Sequence, residues 1–188
     1  LEDTEYKADP KAREKYPFLY LTRNSLYRIH ATYSNSPFLL ELQDNTPCVY
    51  LNPDDAQAKG LKEGEIVEVY NSRGKVSGKL VYETGLYPKQ CVFEQGWWSR
   101  FTAGQSYNTL IWPWINPTNE VYYVGSVWSP NMAWNECACD VRKADAEVVA
   151  HFEKQMAAAG RVASAEYGIA TSSPGAGTTI ASVDGKGA

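Results

Sequence analysis

The sequence predicts a mainly β fold in which short strands close into a barrel. The candidate strands are separated by Gly, Pro or Asn, and a closed sheet protects such strands because it leaves no edge exposed. They lie at residues 17–22, 47–51, 66–70, 75–82, 90–94 and 136–142. The order strand, helix, strand and hairpin within residues 49–82 is typical of one half of such a barrel.

Residues 49–82 carry a local signal for each of these elements. Asn52 is a good N-cap, Pro53 suits the first helical position, and Gly60 is suited to end the helix. Alternation in residues 66–69 predicts a half-buried strand, and the polar segment 72–74 predicts a hairpin tip.

The chain is predicted to form one domain with shorter segments at its ends. We expect a charged arm at residues 1–15, the barrel at 16–144, a docked helix at 145–160, and a flexible tail rich in Gly, Ala, Ser and Thr at 161–188. Gly160 is the expected stop signal of the helix. The helix itself is predicted from apolar side chains at helical spacing, which are Val148, Val149, Phe152 and Met156.

Composition and charge argue against several classes of protein. A net charge of −4 and a pI near 5.3 disfavour a nucleic-acid partner. No apolar run approaches the roughly 20 residues of a membrane helix. The chain begins with Leu, so we expect a piece of a longer protein. Its compartment, whether the cytoplasm or the periplasm of a bacterium or archaeon, stays open.

The cysteines indicate packing, and the tryptophans indicate an interface. Four cysteines and two histidines are not spaced as a zinc site. Cys137 and Cys139 share one strand face, which favours burial as free thiols over a disulfide between them. All six tryptophans fall between residues 97 and 134, which is too dense for one small core. This region is therefore predicted to meet another protein segment or a large ligand.

The polar loop at residues 21–37 is the strongest candidate for a binding site. It follows an apolar strand and combines two arginines and His30 with several amides and hydroxyls. Guanidinium groups pair with phosphates, while amides and hydroxyls bond to ring edges, so the loop suits an anionic, heteroatom-rich ligand. A solvated loop explains the same composition equally well. Arg73 at the hairpin tip and Asn108 in a predicted turn leave the same two alternatives open.

Independent catalysis is poorly supported by the sequence. His30 is the one candidate acid–base residue of the loop, and it is not accompanied by a recognisable nucleophile motif or a carboxylate pair. We therefore expect the chain to bind a ligand, with His30 as an auxiliary group at most.

Five motifs occur in an order that resembles a known family. They are YPFLYLTRNSLYRIHATYSNSPFL, VYLNPDDAQAKGLKEGEIVEVYNSRGKV, residues 88–94 leading into GWW, YNTL, and WNECACDVRKA. Over roughly residues 16–144, this succession is similar to the molybdopterin-dinucleotide-binding C-terminal domain of the dimethyl-sulfoxide-reductase family of molybdenum or tungsten oxidoreductases. The resemblance implies a six-stranded double-psi β-barrel that forms the last domain of a larger catalytic subunit.

The resemblance also implies site residues and a cofactor. The family contacts its cofactor from the loop after the first strand, the hairpin tip, the Asn-x-Leu element and the residue before the last strand. The corresponding residues are Thr22, Arg23, Asn24, His30, Ala31, Thr32, Arg73, Asn108 and Asn135. The implied ligand is one dinucleotide of a bis(molybdopterin guanine dinucleotide) cofactor, which carries molybdenum or tungsten for oxygen-atom transfer or a two-electron reaction.

In this family the metal ligand comes from an earlier domain, and many members bind an iron–sulfur cluster through N-terminal cysteines. The implied partners are therefore the preceding domains of the same polypeptide together with an iron–sulfur electron-transfer subunit, without direct membrane insertion. The chain alone is expected to hold the cofactor without turning over substrate. One alternative is a double-psi barrel used as a protein-interaction module. A decarboxylase on the same barrel is weaker, because Gly125 and Ser126 lack the accompanying catalytic set.

Overall fold

Six strands form one closed sheet in the spatial order β1-β5-β2-β4-β3-β6. A computed structural model describes residues 9–111, 135 and 137–167, with side chains except at 159–167. The strands are β1 (Phe18–Arg23), β2 (Cys48–Leu51), β3 (Ile66–Tyr70), β4 (Lys75–Tyr82), β5 (Gln90–Glu94) and β6 (Cys137–Lys143). The predicted six-stranded barrel is confirmed, and its double-psi connectivity stays a prediction.

The barrel combines parallel and antiparallel strand pairs. β1 runs parallel to β5 and antiparallel to β6, while β2 runs parallel to β4 and antiparallel to β5. β3 completes the sheet through antiparallel pairs with β4 and β6. Because parallel neighbours end at the same edge, Arg23 of β1 and Glu94 of β5 are register partners at one rim. We call this edge, with the loops that leave from it, the β1–β5 rim.

The apolar core lies inside the barrel and draws on all six strands. Its fully buried side chains include Phe18, Tyr20, Val49, Val67, Leu80 and Phe93. Three of the four cysteines, Cys91, Cys137 and Cys139, are buried free thiols in the same core, as predicted. Burial raises the pKa of Tyr20 and of Cys139 well above their usual values, so both groups stay protonated.

One short helix precedes the first strand, and two others connect strands. They are α1 (Pro10–Lys15), α2 (Pro37–Glu41) and α3 (Pro53–Ala58), and each begins with Pro at its first position, where a missing N–H costs nothing. Asn52 caps α3 as predicted, because its side-chain oxygen accepts a hydrogen bond from the Asp54 N–H at 3.0 Å. Asp9 caps α1 in the same way, so the predicted arm contains a helical turn at its end. Single 3-10 turns occupy Ser99–Phe101 and Tyr107–Leu110.

The last helix, α4 (Ala146–Tyr167), packs against the barrel with the predicted apolar face. Phe152 is fully buried with Ile66 and Ala144, and Val148, Val149 and Met156 pack against this group. The predicted end at Gly160 is wrong, because the helix continues to Tyr167. A glycine inside a helix costs only about 1 kcal/mol, and the alanine-rich sequence around it favours helix.

Two sequence predictions fall on undescribed parts of the chain. The tail from residue 168 lies outside the described residues, as do Trp112, Trp114, Trp128 and Trp134. Of the two described tryptophans, Trp97 is buried and Trp98 is 41% exposed. Within the described part of the chain, no helix combines the length and the apolar character needed to cross a membrane.

Candidate functional site

Glu94 is the centre of a charged cluster at the β1–β5 rim. Its Oε1 atom accepts hydrogen bonds from Arg23 Nη2 at 3.3 Å and from the Tyr50 hydroxyl at 3.0 Å. The guanidinium carbon of Arg23 lies 3.6 Å from the centre of the Tyr50 ring, within the range of a cation–π contact. Glu94 is buried, whereas the Arg23 side chain is 37% exposed. The cluster therefore fixes a guanidinium at the surface of the rim.

Two groups near Glu94, the Tyr50 hydroxyl and the Cys48 thiol, are held in their neutral forms. Burial raises the pKa of Tyr50 far above its usual value, and the Glu94 carboxylate acts in the same direction. Burial raises the pKa of Cys48 to about 11, again with help from Glu94. The Tyr50 hydroxyl thus remains a donor at neutral pH. Trp97 Nε1 adds a third donor, at 3.4 Å from Glu94 Oε2.

Arg28 anchors the loop that follows β1. Its side chain is only 4% exposed, and its Nη1 atom donates to Ser34 Oγ at 2.6 Å and to the Gly96 carbonyl at 3.0 Å. The guanidinium also stacks on Trp97, at 4.2 Å from the ring centre. Burial lowers the pKa of Arg28, and the Glu94 carboxylate opposes this change. Arg28 therefore fastens residues 24–36, which we call the β1 loop, onto the segment after β5.

Gly96 allows the β1 loop to approach the barrel closely. Its φ angle is +88°, and a Cβ at this position would lie 2.0 Å from the His30 carbonyl oxygen. His30 itself adopts a φ of 48°, in the left-handed region that non-glycine residues rarely occupy. At this point of the loop the His30 side chain is exposed, and Ala31 lies at the rim.

The hairpin tip between β3 and β4 holds the Tyr107–Leu110 turn in place. Arg73 donates from Nε at 3.2 Å and from Nη2 at 2.7 Å to the Leu110 carbonyl. Asn71 Nδ2 donates to the same carbonyl at 2.9 Å, and a Cβ at Gly74 would touch the Thr109 side chain at 3.0 Å. The tip thereby positions Asn108, which lies in the middle of the turn.

Two asparagines near β1 use their side-chain oxygens within the protein. Asn135 Oδ1 accepts hydrogen bonds from the Thr22 N–H at 2.8 Å and from the Thr22 hydroxyl at 3.4 Å. Asn24 Oδ1 accepts a hydrogen bond from Gln95 Nε2. Thr32 donates its hydroxyl to the Ile29 carbonyl and stabilises a turn of the β1 loop.

A cavity of about 330 Å³ lies at the β1–β5 rim between the β1 loop and the Tyr107–Leu110 turn. We call it the rim cavity, and its lining includes Ala31, Trp98, Ser106, Tyr107 and Asn108. The structure thus brings together two separate segments, the β1 loop and the Asn-x-Leu element, from which the resemblance implies contacts to one cofactor. Aromatic faces next to amide and hydroxyl groups suit a flat, polar ring system.

A second cavity, of about 460 Å³, lies within residues 24–39. We call it the loop cavity, and its walls include Leu26, Tyr27, Arg28, Ile29, His30 and Tyr33. Since His30 lines the loop cavity and Ala31 lines the rim cavity, the β1 loop separates the two. Five of the predicted site residues line neither cavity: Thr22, Arg23, Thr32, Arg73 and Asn135.

Two buried nitrogen donors are left without acceptors among the described residues. They are Arg23 Nε and Arg28 Nη2. An unpaired buried donor costs about 1–3 kcal/mol, so each favours a ligand or partner that brings an oxygen acceptor. Phosphate oxygens meet this requirement, and the donor set at the rim therefore fits a dinucleotide.

Sequence reasoning missed several residues that build this site. The sequence does not identify Glu94 or Gly96 as site residues, and it presents Arg28 and Ser34 only among the polar donors of the loop. The signal for Glu94 was weak, because an acidic residue that ends a strand is usually solvated. Gly96, Trp97 and Trp98 stood in the GWW motif that supported the resemblance.

A closed barrel with a polar loop, an aromatic cavity and unpaired donors at one rim defines a ligand-binding domain. Residues 18–146 match the family described as "Molydopterin dinucleotide binding domain". The chain belongs to this family, and the alternative of a protein-interaction module is not favoured.

Curated relatives are named as parts of oxidoreductases. The chain is 37% identical over 87 residues to a protein of Halobacterium salinarum that is named as a dimethyl sulfoxide reductase catalytic chain, and the match covers 46% of this chain and 10% of that protein. It is 30% identical over 147 residues to the alpha chain of the respiratory nitrate reductase of Haloferax mediterranei, with coverage of 69% and 14%, respectively. The chain therefore spans only a small part of these relatives.

A solved structure shares the fold. Acetylene hydratase from Pelobacter acetylenicus superposes with a TM-score of 0.59 at 18% sequence identity. The superposition covers 76% of this chain and 20% of the hydratase chain. At this identity the similarity supports the architecture of the barrel.

Proposed function

We propose that this chain is the cofactor-binding barrel of a molybdenum or tungsten oxidoreductase catalytic subunit. It holds one molybdopterin guanine dinucleotide of a bis(molybdopterin guanine dinucleotide) cofactor at the β1–β5 rim. The family match supports the ligand, and the names of the relatives support the reaction class. When bound, the metal–pterin group supplies oxygen-atom-transfer or two-electron redox chemistry.

The observation that carries the proposal is the rim cavity. Ala31 and Asn108 come from distant parts of the sequence and line one cavity with the exposed indole of Trp98. In this proposal Asn108 bonds to the ring edges of the ligand, and Trp98 and Tyr107 supply aromatic faces. Arg23 offers the exposed part of its guanidinium to a phosphate oxygen, with Glu94 and Tyr50 holding the group in place.

The remaining predicted residues act in two ways in the proposal. Thr22, Asn24, His30 and Thr32 contact the ligand from the β1 loop and the strand that precedes it. Arg73 and Asn135 position contacting segments, since their described bonds go to Leu110 and Thr22. The chain supplies binding and orientation, while the metal ligand and any iron–sulfur cluster come from other domains of the subunit. An iron–sulfur electron-transfer subunit is the proposed partner.

Replacing Arg23 in the full-length enzyme tests the proposal. Arg23→Ala should weaken cofactor binding by about 1.5–3 kcal/mol for each strong bond that is lost. His30→Ala should lower activity more than cofactor content, since a ring nitrogen near the pterin can donate a hydrogen bond or a proton. Lys154→Ala, which removes an exposed cation on α4, is the matched control.

Metal and pterin contents of the purified variants give the first readout. Activity with a reduced dye as electron donor gives the second, using dimethyl sulfoxide and nitrate, which appear in the relatives' names. Full cofactor occupancy and unchanged turnover in both Arg23→Ala and His30→Ala would contradict the proposal. A loss of cofactor in Lys154→Ala would show that the effect is not specific to the rim.

A further inference from the structure

The helix α4 forms hydrogen bonds to the 3-10 turn at Ser99–Phe101. Gln155 Nε2 donates to the Phe101 carbonyl at 3.3 Å, and His151 Nε2 lies 3.0 Å from the Arg100 carbonyl oxygen. Because a carbonyl oxygen only accepts, the second bond requires the proton on Nε2 of the histidine ring. The two side chains are four residues apart and therefore project from one face of α4. This face holds the turn by its backbone.

Two further contacts join α4 to the neighbouring segments. Gln155 Nε2 also donates to the Asn45 carbonyl, in the segment after α2, so both N–H bonds of this amide are occupied. Ala103, which adopts a φ of 53°, packs against the apolar group around Phe152 of α4. The stretch from residue 99 to residue 103 is therefore fixed to the helix by two hydrogen bonds and one apolar contact.

The same stretch carries part of the wall of the rim cavity. Trp98 and Ser99 line this cavity. The guanidinium carbon of Arg100 lies 4.8 Å from the centre of a Trp98 ring, within the range of a cation–π contact. Arg100 Nη2 donates to the Ser34 carbonyl at 3.0 Å, near the end of the β1 loop. Arg100 therefore connects the turn that α4 holds to both the cavity wall and the β1 loop.

The Trp98 wall has little support apart from these contacts. Its indole is 41% exposed, so packing against the barrel fixes it only in part. A 3-10 turn of three residues is also weak by itself, because its hydrogen bonds have poorer geometry than those of an α-helix. The orientation of the indole must therefore depend on the groups that hold the turn and on Arg100.

We propose that α4 is a positioning helix for the ligand site, and that Arg100 transmits its effect to the rim cavity. The proposal rests on the proposed function, in which this cavity receives the dinucleotide. His151 and Gln155 are positioning residues, since neither is among the described residues that line the rim cavity. The family match ends at residue 146, where α4 begins, so this support comes from outside the matched region.

A pair of His151 variants in the full-length holoenzyme tests the hydrogen bond to the turn. His151→Leu removes the donor, whereas His151→Gln offers an amide N–H at a similar reach. We expect the dinucleotide to leave His151→Leu about two- to tenfold faster than the wild type, the factor that corresponds to one net hydrogen bond. His151→Gln should restore most of the wild-type rate. Fluorescence of the released pterin, after its oxidation, gives the rate. Equal release from the wild type and both variants, or no rescue by glutamine, would overturn the proposal.

Gln155→Glu tests the second contact, because it keeps the size of the side chain but removes its donor. Ala157→Glu is the matched control, since it adds the same charge at an exposed position of α4. Amide hydrogen exchange in residues 24–36 and 97–104 should be about two- to tenfold faster in Gln155→Glu than in the control. Exchange in β3 and β6 should stay unchanged. A uniform rise across the barrel would make α4 a general support of the fold and would overturn the positioning role.

The role of Arg100 is tested by combining two changes. Arg100→Ala keeps the backbone carbonyl that His151 contacts, but it removes the stacking on Trp98 and the bond to Ser34. If Arg100 transmits the effect of α4, His151→Leu should alter the logarithm of the release rate at most about half as much in the Arg100→Ala background as in the wild type. An undiminished effect would contradict transmission through Arg100.

Molybdenum, tungsten and pterin contents of the same preparations separate this proposal from the proposed function. A wild-type enzyme without cofactor would refute the proposed function, and hydrogen exchange of the protein itself would still test the positioning role. A loaded wild type with unchanged release and exchange in His151→Leu and Gln155→Glu would refute only the role of α4. The two positions are changed separately, so failure of one variant to fold leaves the other to decide.

Discussion

The His30 carbonyl oxygen lies directly over Gly96, at 2.0 Å from the position that a Cβ on Gly96 would take. This contact joins the middle of the β1 loop to the segment after β5. Because the φ of Gly96 is +88°, a side chain at this position would suffer both backbone strain and a collision. The loop therefore depends on a single glycine for its place on the rim.

We expect Gly96→Ala to displace the β1 loop and to lower the free energy of unfolding. Gly64→Ala is a matched control, since Gly64 has a φ of +85° but no atom within 4 Å of the position that its Cβ would take. Backbone strain alone should cost about 1–3 kcal/mol in both variants, and overpacking should add a similar amount in Gly96→Ala. Urea unfolding followed by tryptophan fluorescence measures the difference. Equal losses would show that the close contact is unimportant.

The bond between Ser34 and Arg28 should stabilise the protein measurably. Ser34→Ala removes a buried hydroxyl that accepts from Arg28 Nη1 at 2.6 Å, and we expect a loss of about 1.5–3 kcal/mol because the donor is charged. Ser72→Ala, at a serine of the hairpin tip, should stay within about 0.5 kcal/mol of the wild type. Urea unfolding of both variants checks this. Similar stabilities in the two variants would argue against an anchoring role for Arg28.

Arg73 should act through its geometry rather than through its charge. Arg73→Lys keeps the positive charge but cannot reproduce the two bonds from Nε and Nη2 to the Leu110 carbonyl. We therefore expect Arg73→Lys and Arg73→Ala to lower cofactor content to a similar degree in the full-length enzyme. Recovery of wild-type content in Arg73→Lys would instead indicate direct attraction between this charge and an anionic ligand.

The stability of the protein should fall as the pH rises above about 9. Burial raises the folded-state pKa of Cys48 to about 11, above its unfolded value, so the stability linked to this thiol is fully present below about pH 8.5 and is lost as the pH approaches 11. Urea unfolding at a series of pH values across this window measures how steeply the free energy of unfolding falls with pH. Because this slope reports the difference in bound protons between the folded and unfolded states, Cys48→Ala should reduce it by the equivalent of up to one proton. An unchanged slope in this variant would contradict the raised pKa of Cys48.

The barrel was predictable because its strands carry strong local signals. Alternating apolar residues and turn residues placed each strand within one residue of its observed bounds. The end of α4 was mispredicted at Gly160, because a single glycine is a weak stop signal where the surrounding residues favour helix. The short helix α2 was not predicted, since its five residues are too few to establish a helical period.

The site was less predictable than the fold, because its contacts join residues that are distant in sequence. Nothing local distinguishes Glu94 from a solvated strand end, and its role emerges only when the parallel pairing of β1 and β5 brings it opposite Arg23. Arg28 resembled the exposed arginines of any polar loop until the fold buried it against Trp97. The motif order indicated segments that meet at one rim, while the residues that position these segments required the structure.

The strand order also governs when the site can form during synthesis. β1 leaves the ribosome first, yet both of its neighbours, β5 and β6, are made much later, and Phe18 pairs with Cys139 of the last strand. Pairs so distant in sequence form slowly, because a long stretch of chain must be ordered before any contact is gained. The rim can be complete only after Lys143 has emerged, so a nascent chain that ends before this residue has nowhere to place the dinucleotide. Loading of the ligand must therefore wait for the last strand, and a chain cut before β6 is expected to remain empty.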